Sequence, residues 1–540
     1  MTFSNRSRRQ RDADIPPRSW DEIRRFNLPN LRRLVLTIFT LLVLWLFFLI
    51  APRLYTNYRW FEELGLSSVL TTEWSTRLAV FFIAGAVFFV FYLINITLAR
   101  RLTPRVTDES SRWSQFVAFA GRSVNFLLIL IGLLLAILVG LVTQFEWLTF
   151  LRFLHAVPFN FGDPIFHQDV SFYIFTLPVY EFLVGWLGGL LVLTMVAVRV
   201  TYALGLGHLR WTPTVNSHLS ALGVGLLLLS AWNYQLQVFN LVYSSRGVVA
   251  GASYTDVHAQ WPAYNILTLI ALVLAGLLLV NLFVRALKAI GLVVVLWVVT
   301  WLLLVEVYPG LVQSFEVKPN EFAKEQPYIL NNIQMTRQAF GLDQIQESAF
   351  AANDAPTSAD LQADRETLNN IRLWDYRPLQ QTYNQIQTIR TYYEFLDVDI
   401  DRYTLNGQSR QVMLSARELA PSKLSDKAQT WVNLHLLYTH GYGAVVNPVN
   451  TSTSDGLPSF VVKDIPPIGT VPMTRPEIYF GQRTTNYVFV KTKEKEFDYP
   501  KGDENVFADY TGTGGVSIGS YFDRLMFSLR FADQNILLTD

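Results

Sequence analysis

Three aspartates, Asp397, Asp399 and Asp401, alternate just ahead of an Asn406-Gly407 pair. On a strand, a period of two sets all three on one face. Three carboxylates on one face repel one another unless a cation or a basic group sits among them. Two readings stay open: a divalent cation, best Ca2+, which takes oxygen ligands, or ion pairing with Arg390, Arg402 or Arg410. The segment is not an EF-hand, because Arg402 stands where that loop needs Gly and Gln408 where it needs Glu. His435 and His440 lie five apart, which is about 500° of helix. They point apart unless the helix has ended, and Gly441-Tyr442-Gly443 ends it. They read as a metal pair or as histidines placed at the negative end of a helix dipole. His155, Asp163, His167 and Asp169 cluster in one loop, as a metal or proton site or as a structural loop punctuated by Pro158, Pro164 and Pro178. Gly512, Gly514, Gly515 and Gly519 lack the phosphate-loop pattern and read as tight turns.

Other chemistry is excluded by what is missing. The chain has no cysteine, so it holds no disulfide, thiolate-bound metal or thiol nucleophile. No G-x-S-x-G or H-E-x-x-H stretch is present, so no catalytic residue is assigned and no cofactor site beyond the aspartates. The formal net charge of +1 argues against a nucleic-acid partner.

These residues must be held by elements of two kinds. Residues 1–33 carry nine arginines and four acids; residues 34–305 carry 14 basic and 10 acidic residues; residues 306–540 carry 21 basic and 29 acidic. The expected parts are a basic cytoplasmic tail (1–33), a seven-span transmembrane domain (34–305) and an extracytoplasmic α+β domain (306–540). A bilayer core about 30 Å thick needs about 20 apolar helical residues. Seven runs approach or reach that length: Leu34–Ile50, Leu78–Ala99, Val124–Val142, Val179–Val198, Leu219–Phe239, Tyr264–Val284 and Ala289–Val305. The fold class is therefore an all-α membrane bundle of seven helices followed by an α+β domain. Within the spans, polar residues are few: Glu181, Asn233 and Gln235 stand out, with Asn95 and Gln237. An intramembrane carboxylate marks an ion path or a helix contact. Gly185, Gly188 and Gly189 suggest close helix packing.

With the N-terminus in the cytoplasm, the inner segments hold 18 basic residues and the outer loops five, so the positive-inside rule sets the orientation. An odd number of spans then places residues 306–540 outside. The first run is followed by Ala51-Pro52-Arg53 rather than a cleavage site, so it reads as a retained anchor. In the outer part, Pro319–Phe340 reads as a helix closed by Gly341, and 344–364 as a loop. Pro378 opens a second helix with Leu379, Tyr383, Ile386, Ile389 and Tyr393 on its buried stripe. Asn406-Gly407 joins two strands by a type I′ turn. A third helix is expected over Asp426–Thr439, and strands over Glu477–Gly481 and Tyr487–Lys491.

Several blocks are distinctive: Asp163-Pro164-Ile165-Phe166, Val317-Lys318-Pro319-Asn320-Glu321, Leu373-Trp374-Asp375-Tyr376-Arg377-Pro378, Asp397 to Tyr403, Gln411 to Leu419, Thr439-His440-Gly441-Tyr442-Gly443, Arg475-Pro476-Glu477-Ile478-Tyr479 and Glu496-Phe497-Asp498-Tyr499-Pro500. Together they resemble the uncharacterised protein family (UPF) zero-one-eight-two of large bacterial membrane proteins. The resemblance implies a multi-pass protein of the bacterial cell membrane with a large extracytoplasmic part, and it carries over no catalytic residue. Family members run several hundred residues past the equivalent of Asp540, so the chain reads as truncated and its α+β domain as incomplete. Three functions follow as expectations. The first is an envelope binding or assembly protein, with the lipid bilayer and other envelope proteins as partners. The second is a transporter or channel with an outer gate, favoured by a cavity of Glu181, Asn233 and Gln235. The third is an envelope-modifying enzyme, favoured by a cleft that joins Asp397–Asp401 to His435 or His440.

Overall fold

The computed structural model describes residues 28–103, 112–206, 211–284, 287–350, 352 and 354–538. The longer helices in chain order are α1 (Leu28–Glu63), α2 (Ser67–Leu102), α3 (Arg112–Thr143), α4 (Trp147–Leu154), α5 (Leu177–Leu206), α6 (Pro213–Asn240), α7 (Trp261–Val284), α8 (Leu287–Trp301), α9 (Glu321–Ala339), α10 (Tyr376–Ile386) and α11 (Tyr521–Phe531). Contacts divide the chain into two compact units: Ser68–Ser348, and Met1–Ser67 with Ala349–Asp540.

The helical unit is built from segments that are apolar on all sides. Six runs are long and apolar enough to cross a membrane: Ser67–Leu102, Phe126–Leu154, Phe172–Leu204, Pro213–Tyr243, Asp256–Phe283 and Gly291–Ala339. Phe82, Ile83, Phe126, Leu269 and Phe283 stay exposed on them. A soluble protein would not leave so much contiguous apolar surface in water, whereas lipid accepts it. The expected count was seven. Leu34–Ile50 lies on α1, where several side chains fall outside the described set, so six is the number among the described residues. The basic tail before Leu28, and Arg105, Arg210 and Arg285, also lie outside the described residues. The expected close packing at Gly185, Gly188 and Gly189 is not where the helices approach most closely. A Cβ added at Gly185 or Gly189 meets nothing within 4 Å. The tight approach is α2 to α3: a Cβ at Gly132 would sit 2.4 Å from the Tyr92 ring, and one at Gly140 2.8 Å from the Phe81 carbonyl.

The second unit packs α10 on an antiparallel sheet of strand order β2-β3-β6-β7-β8 (Asp399–Leu405, Gln408–Ala416, Ala444–Pro448, Val462–Lys463, Ile468–Gly469). Asp375 caps α10 by accepting from the Arg377 amide. Leu379 and Tyr383 point into a core with Phe395, Met413, Val445 and Val449, while the opposite sheet face buries Val412, Val446 and Val462. The Asn406-Gly407 turn forms as expected, both residues at positive φ and Leu405 paired with Gln408. The α10 stripe stops earlier than its period suggested. Ile386 ends the helix, Ile389 turns out at φ 64°, and Tyr393 belongs to β1 (Tyr393–Glu394), which pairs with β4 (Glu418–Leu419). The helix expected over Asp426–Thr439 is broken: Gln429 leaves helical φ/ψ and donates its side-chain amide to the Leu424 carbonyl. Of the later expected strands only Glu477–Ile478 (β9) forms, pairing with β5 (Gly441–Tyr442); 487–491 is irregular.

The first helix belongs to this second unit. Near its end, the Tyr55 hydroxyl donates to Asp523 Oδ1 of α11 at 2.6 Å, and Arg59 Nε lies 3.6 Å from the same oxygen. Arg59 also donates to the Ser517 carbonyl at 3.1 Å, and the Tyr55 ring meets Phe522 edge-on at 5.1 Å. Burial works against the Asp523 charge, but donors from Ser520 and Tyr55 outweigh it and hold the carboxyl below its usual range.

Candidate functional site

Two clusters gather polar and ionisable side chains away from the open surface. The first is centred on His440 in the second unit. The chain leaves the turns before Thr439 and enters β5, which pairs Gly441 with Ile478 of β9. The strand β10 (Glu496–Lys501) brings in Glu496 and Asp498, two residues apart and therefore on one side. Its pairing with β11 (Glu504–Ala508) shifts register between Phe497 and Tyr499, so Asp498 sits in a bulge that re-aims its side chain. The imidazole then lies between two acids. Nδ1 is 2.8 Å from Thr439 Oγ1 and 3.4 Å from Glu496 Oε2; Nε2 is 3.5 Å from Asp498 Oδ1. Thr439 donates to Glu496 Oε2 at 2.5 Å and Tyr479 to the same oxygen at 2.8 Å. His440 is 1% exposed and Glu496 3%.

The proton inventory follows from this geometry. If Thr439 donates to Glu496, its oxygen accepts from Nδ1–H. A neutral ring would then aim the Nε2 lone pair at Asp498. Only the imidazolium puts N–H toward both acids. Burial opposes that charge, yet Asp498 and Glu496 outweigh it and raise His440 above its ordinary pKa. At 1% exposure the ring ties the residues just before β5 to β10.

The second cluster lies in the helical unit. Near the start of α5, Glu181 accepts from the Asn240 amide at the end of α6. Beside it is a cavity of about 340 Å3 lined by Glu181, Val184 and Gly185 of α5 and Leu229, Ser230, Asn233 and Gln237 of α6. Asn233 and Gln237 are one helical turn apart, so both side chains reach the same face. Gln235 does not: it donates to Asn265 and Thr268 of α7. The structure thus brings together two of the three expected residues, Glu181 and Asn233, and substitutes Gln237 for Gln235. The spacing from Asn233 was the signal that could have made this choice.

The other candidates separate. Asp399 and Asp401 lie exposed on β2, the edge strand of its sheet, and Asp397 lies exposed just before it. Among the described residues no ion pair joins them to an arginine, and none of them meets His435 or His440. Charged groups on an edge strand also keep it from pairing with another sheet. His435 stacks on Tyr487 at 4.2 Å and bonds its carbonyl through Nδ1, away from His440. Asp163 and Asp169 are loop staples. Asp163 accepts from the Ile165, Phe166 and Gln168 amides and from Tyr173, and Asp169 accepts from the Phe159, Asn160 and Ser171 amides. Hydrogen bonds from Ser171 and these amides pull Asp169 down to about 2. Of the glycine cluster, Gly515 takes a positive φ, as a tight turn requires. Among the described residues, no group of three or more His, Asp and Glu is arranged to hold a metal ion.

Comparison with known proteins bears on the whole chain. The family model described as "Uncharacterised protein family (UPF0182)" matches residues 34–540. A "UPF0182 protein" of Sulfurovum sp. is 41% identical over 520 residues, which cover 94% of this chain and 56% of that protein. One from Pelotomaculum thermopropionicum is 40% identical over 508 residues, 90% of this chain and 55% of its own length. A third, from Trichodesmium erythraeum, is 38% identical over 495 residues, 90% of this chain and 54% of its own. The chain thus spans about half the length of the curated relatives it matches. No solved structure matches it.

Proposed function

The chain belongs to the uncharacterised protein family UPF0182, and from that premise we propose that it is a seven-span protein of the bacterial cell membrane that displays its polar unit outside, for binding or assembly with other envelope components. One observation carries this reading: the docking of the end of α1 on Asp523. At 1.5 Å per residue, the 36 residues of α1 reach about 54 Å, well beyond a core of about 30 Å. The apolar run Leu34–Ile50 fits inside the core, with Arg32 and Arg33 at its mouth. Tyr55 and Arg59 then emerge on the far side from the arginine-rich tail, and they hold the polar unit there. The positive-inside rule keeps the tail in the cytoplasm, so the polar unit faces outward. This argument needs no count of the other spans, and a count of seven agrees with it.

The binding role rests on what the polar unit offers. Its ionisable cluster is sealed by burial, and its candidate acids are dispersed on an edge strand. Fusions at residue 460 test the orientation. Alkaline phosphatase is expected to be active there and a cytoplasmic fluorescent reporter dark; a bright fluorescent fusion sinks the reading. For assembly, intact cells carrying the full-length protein are treated with a membrane-impermeant crosslinker. Discrete adducts to envelope proteins are expected, and their absence removes the assembly role.

A further inference from the structure

The cavity between α5 and α6 has a chemistry of its own. Its lining contains one carboxylate, Glu181, and two carboxamides, Asn233 and Gln237, and no basic residue. One Glu181 oxygen takes the Asn240 amide, and the other has no hydrogen-bond partner among the described residues. Neither Asn233 nor Gln237 makes a side-chain hydrogen bond there. Ser230 is satisfied by the Leu226 carbonyl. Three oxygens, Glu181 Oε2, Asn233 Oδ1 and Gln237 Oε1, thus accept no hydrogen bond among the described residues and open onto the cavity, in segments apolar enough to cross a membrane.

The lining selects among cations. A hard metal ion takes six to eight oxygens, and the side chains leave three. An alkylammonium presents three N–H donors, as the lysine head does. The volume of about 340 Å3 is many times that of one water, and Val184, Gly185 and Leu229 give it an apolar wall. We infer that this cavity binds a primary alkylammonium group, with its charge on Glu181, its remaining N–H groups on Asn233 and Gln237, and its carbon chain along Val184 and Leu229. The same chemistry is offered by the amine of an ethanolamine lipid head group and by a small free amine.

The test uses the full chain in phosphatidylcholine nanodiscs, titrated with ethylammonium chloride, sodium chloride or tetramethylammonium chloride while thermal unfolding is followed. Ethylammonium is expected to raise the midpoint by about 5 °C at saturation. Sodium and tetramethylammonium, which has no N–H, should not. Glu181→Gln is expected to weaken the response at least tenfold. Gly185→Leu, which fills the cavity and leaves Glu181 in place, should abolish it if Glu181→Gln fails to fold. An equal response to all three salts, no response in the wild type, or an undiminished response in Gly185→Leu overturns the proposal. Nanodiscs of phosphatidylethanolamine then identify the source. A raised midpoint that ethylammonium no longer increases assigns the lipid head group, and an unchanged one assigns a free amine.

Discussion

His440 makes the sharpest claim on stability. The folded protein places the His440 ring between Glu496 and Asp498, which favour its protonated form, and the unfolded chain returns that ring to a pKa near 6.5. Because the folded value is the higher one, the stabilisation is full below about pH 6.5 and is lost as pH rises through the folded value. The carboxyls held low, among them Asp375, Glu394, Asp523 and Asp533, act in the opposite sense. Their contribution is present above about pH 4 and fades only under acid, so it is constant across pH 6–9. Removing the ring by His440→Gln leaves two buried carboxylates without their counter-charge, which costs about 3–5 kcal/mol. For a unit of this size that is a fall of roughly 10 °C in the unfolding midpoint. The assay is tryptophan fluorescence of the full chain in detergent during a thermal ramp at pH 5.5, 7 and 8.5. Wild type should lose stability with rising pH. His440→Gln should be less stable at pH 5.5 and show no loss between 5.5 and 8.5. Adding Glu496→Gln to His440→Gln should recover part of the deficit, because one uncompensated charge is gone. A variant within about 1 kcal/mol of wild type at pH 5.5, or one with the same pH slope, refutes the reasoning.

Three further outcomes follow from the same physics. Arg417 is fully buried and in no ion pair among the described residues, with the Asp464 charge nearby, and its guanidinium bonds the Gln387 and Tyr442 carbonyls at 2.9 Å each. Arg417→Met should destabilise the polar unit by about 3 kcal/mol in urea titration, because those acceptors lose their donor. Asp523→Ala should release the end of α1. Hydrogen exchange over residues 52–62 is expected to speed up at least severalfold in Asp523→Ala relative to wild type, and an unchanged rate would refute the docking role. Asp399→Asn with Asp401→Asn should change stability by no more than about 0.5 kcal/mol, with or without Ca2+ in a melting assay, since both carboxylates are exposed and Asp401 accepts only the adjacent Arg402 amide, a bond asparagine can keep.

The legible parts of this chain were those written in local order. Apolar runs announce spans because a helix in lipid is apolar all round, and Asn406-Gly407 announces a hairpin because only such pairs accept two positive φ values cheaply. Leu379 and Tyr383 follow from helical period. The α10 stripe overran because hydrophobic spacing continues through Ile389 and Tyr393 after the backbone has turned. The His440 cluster was not legible because Thr439 and Glu496 lie 57 residues apart, on segments that pair with different strands, and Asp498 sits in a bulge of β10. No spacing rule encodes that. The Glu181 cavity was half legible: the residue types were evident, but choosing Gln237 over Gln235 needed the helix face, two residues being about 200° of turn.

The bond from Tyr55 to Asp523 also has a meaning in time. Its partners are 468 residues apart, and a ribosome adds roughly 5–20 residues per second. The end of α1 therefore waits roughly 25–90 s for the partner that fixes it. During that interval the Tyr55 hydroxyl lacks its Asp523 acceptor, while Arg59 keeps only its pair with Glu62 one turn on. A factor that shelters the end of α1 would therefore have to hold it until Asp523 is made.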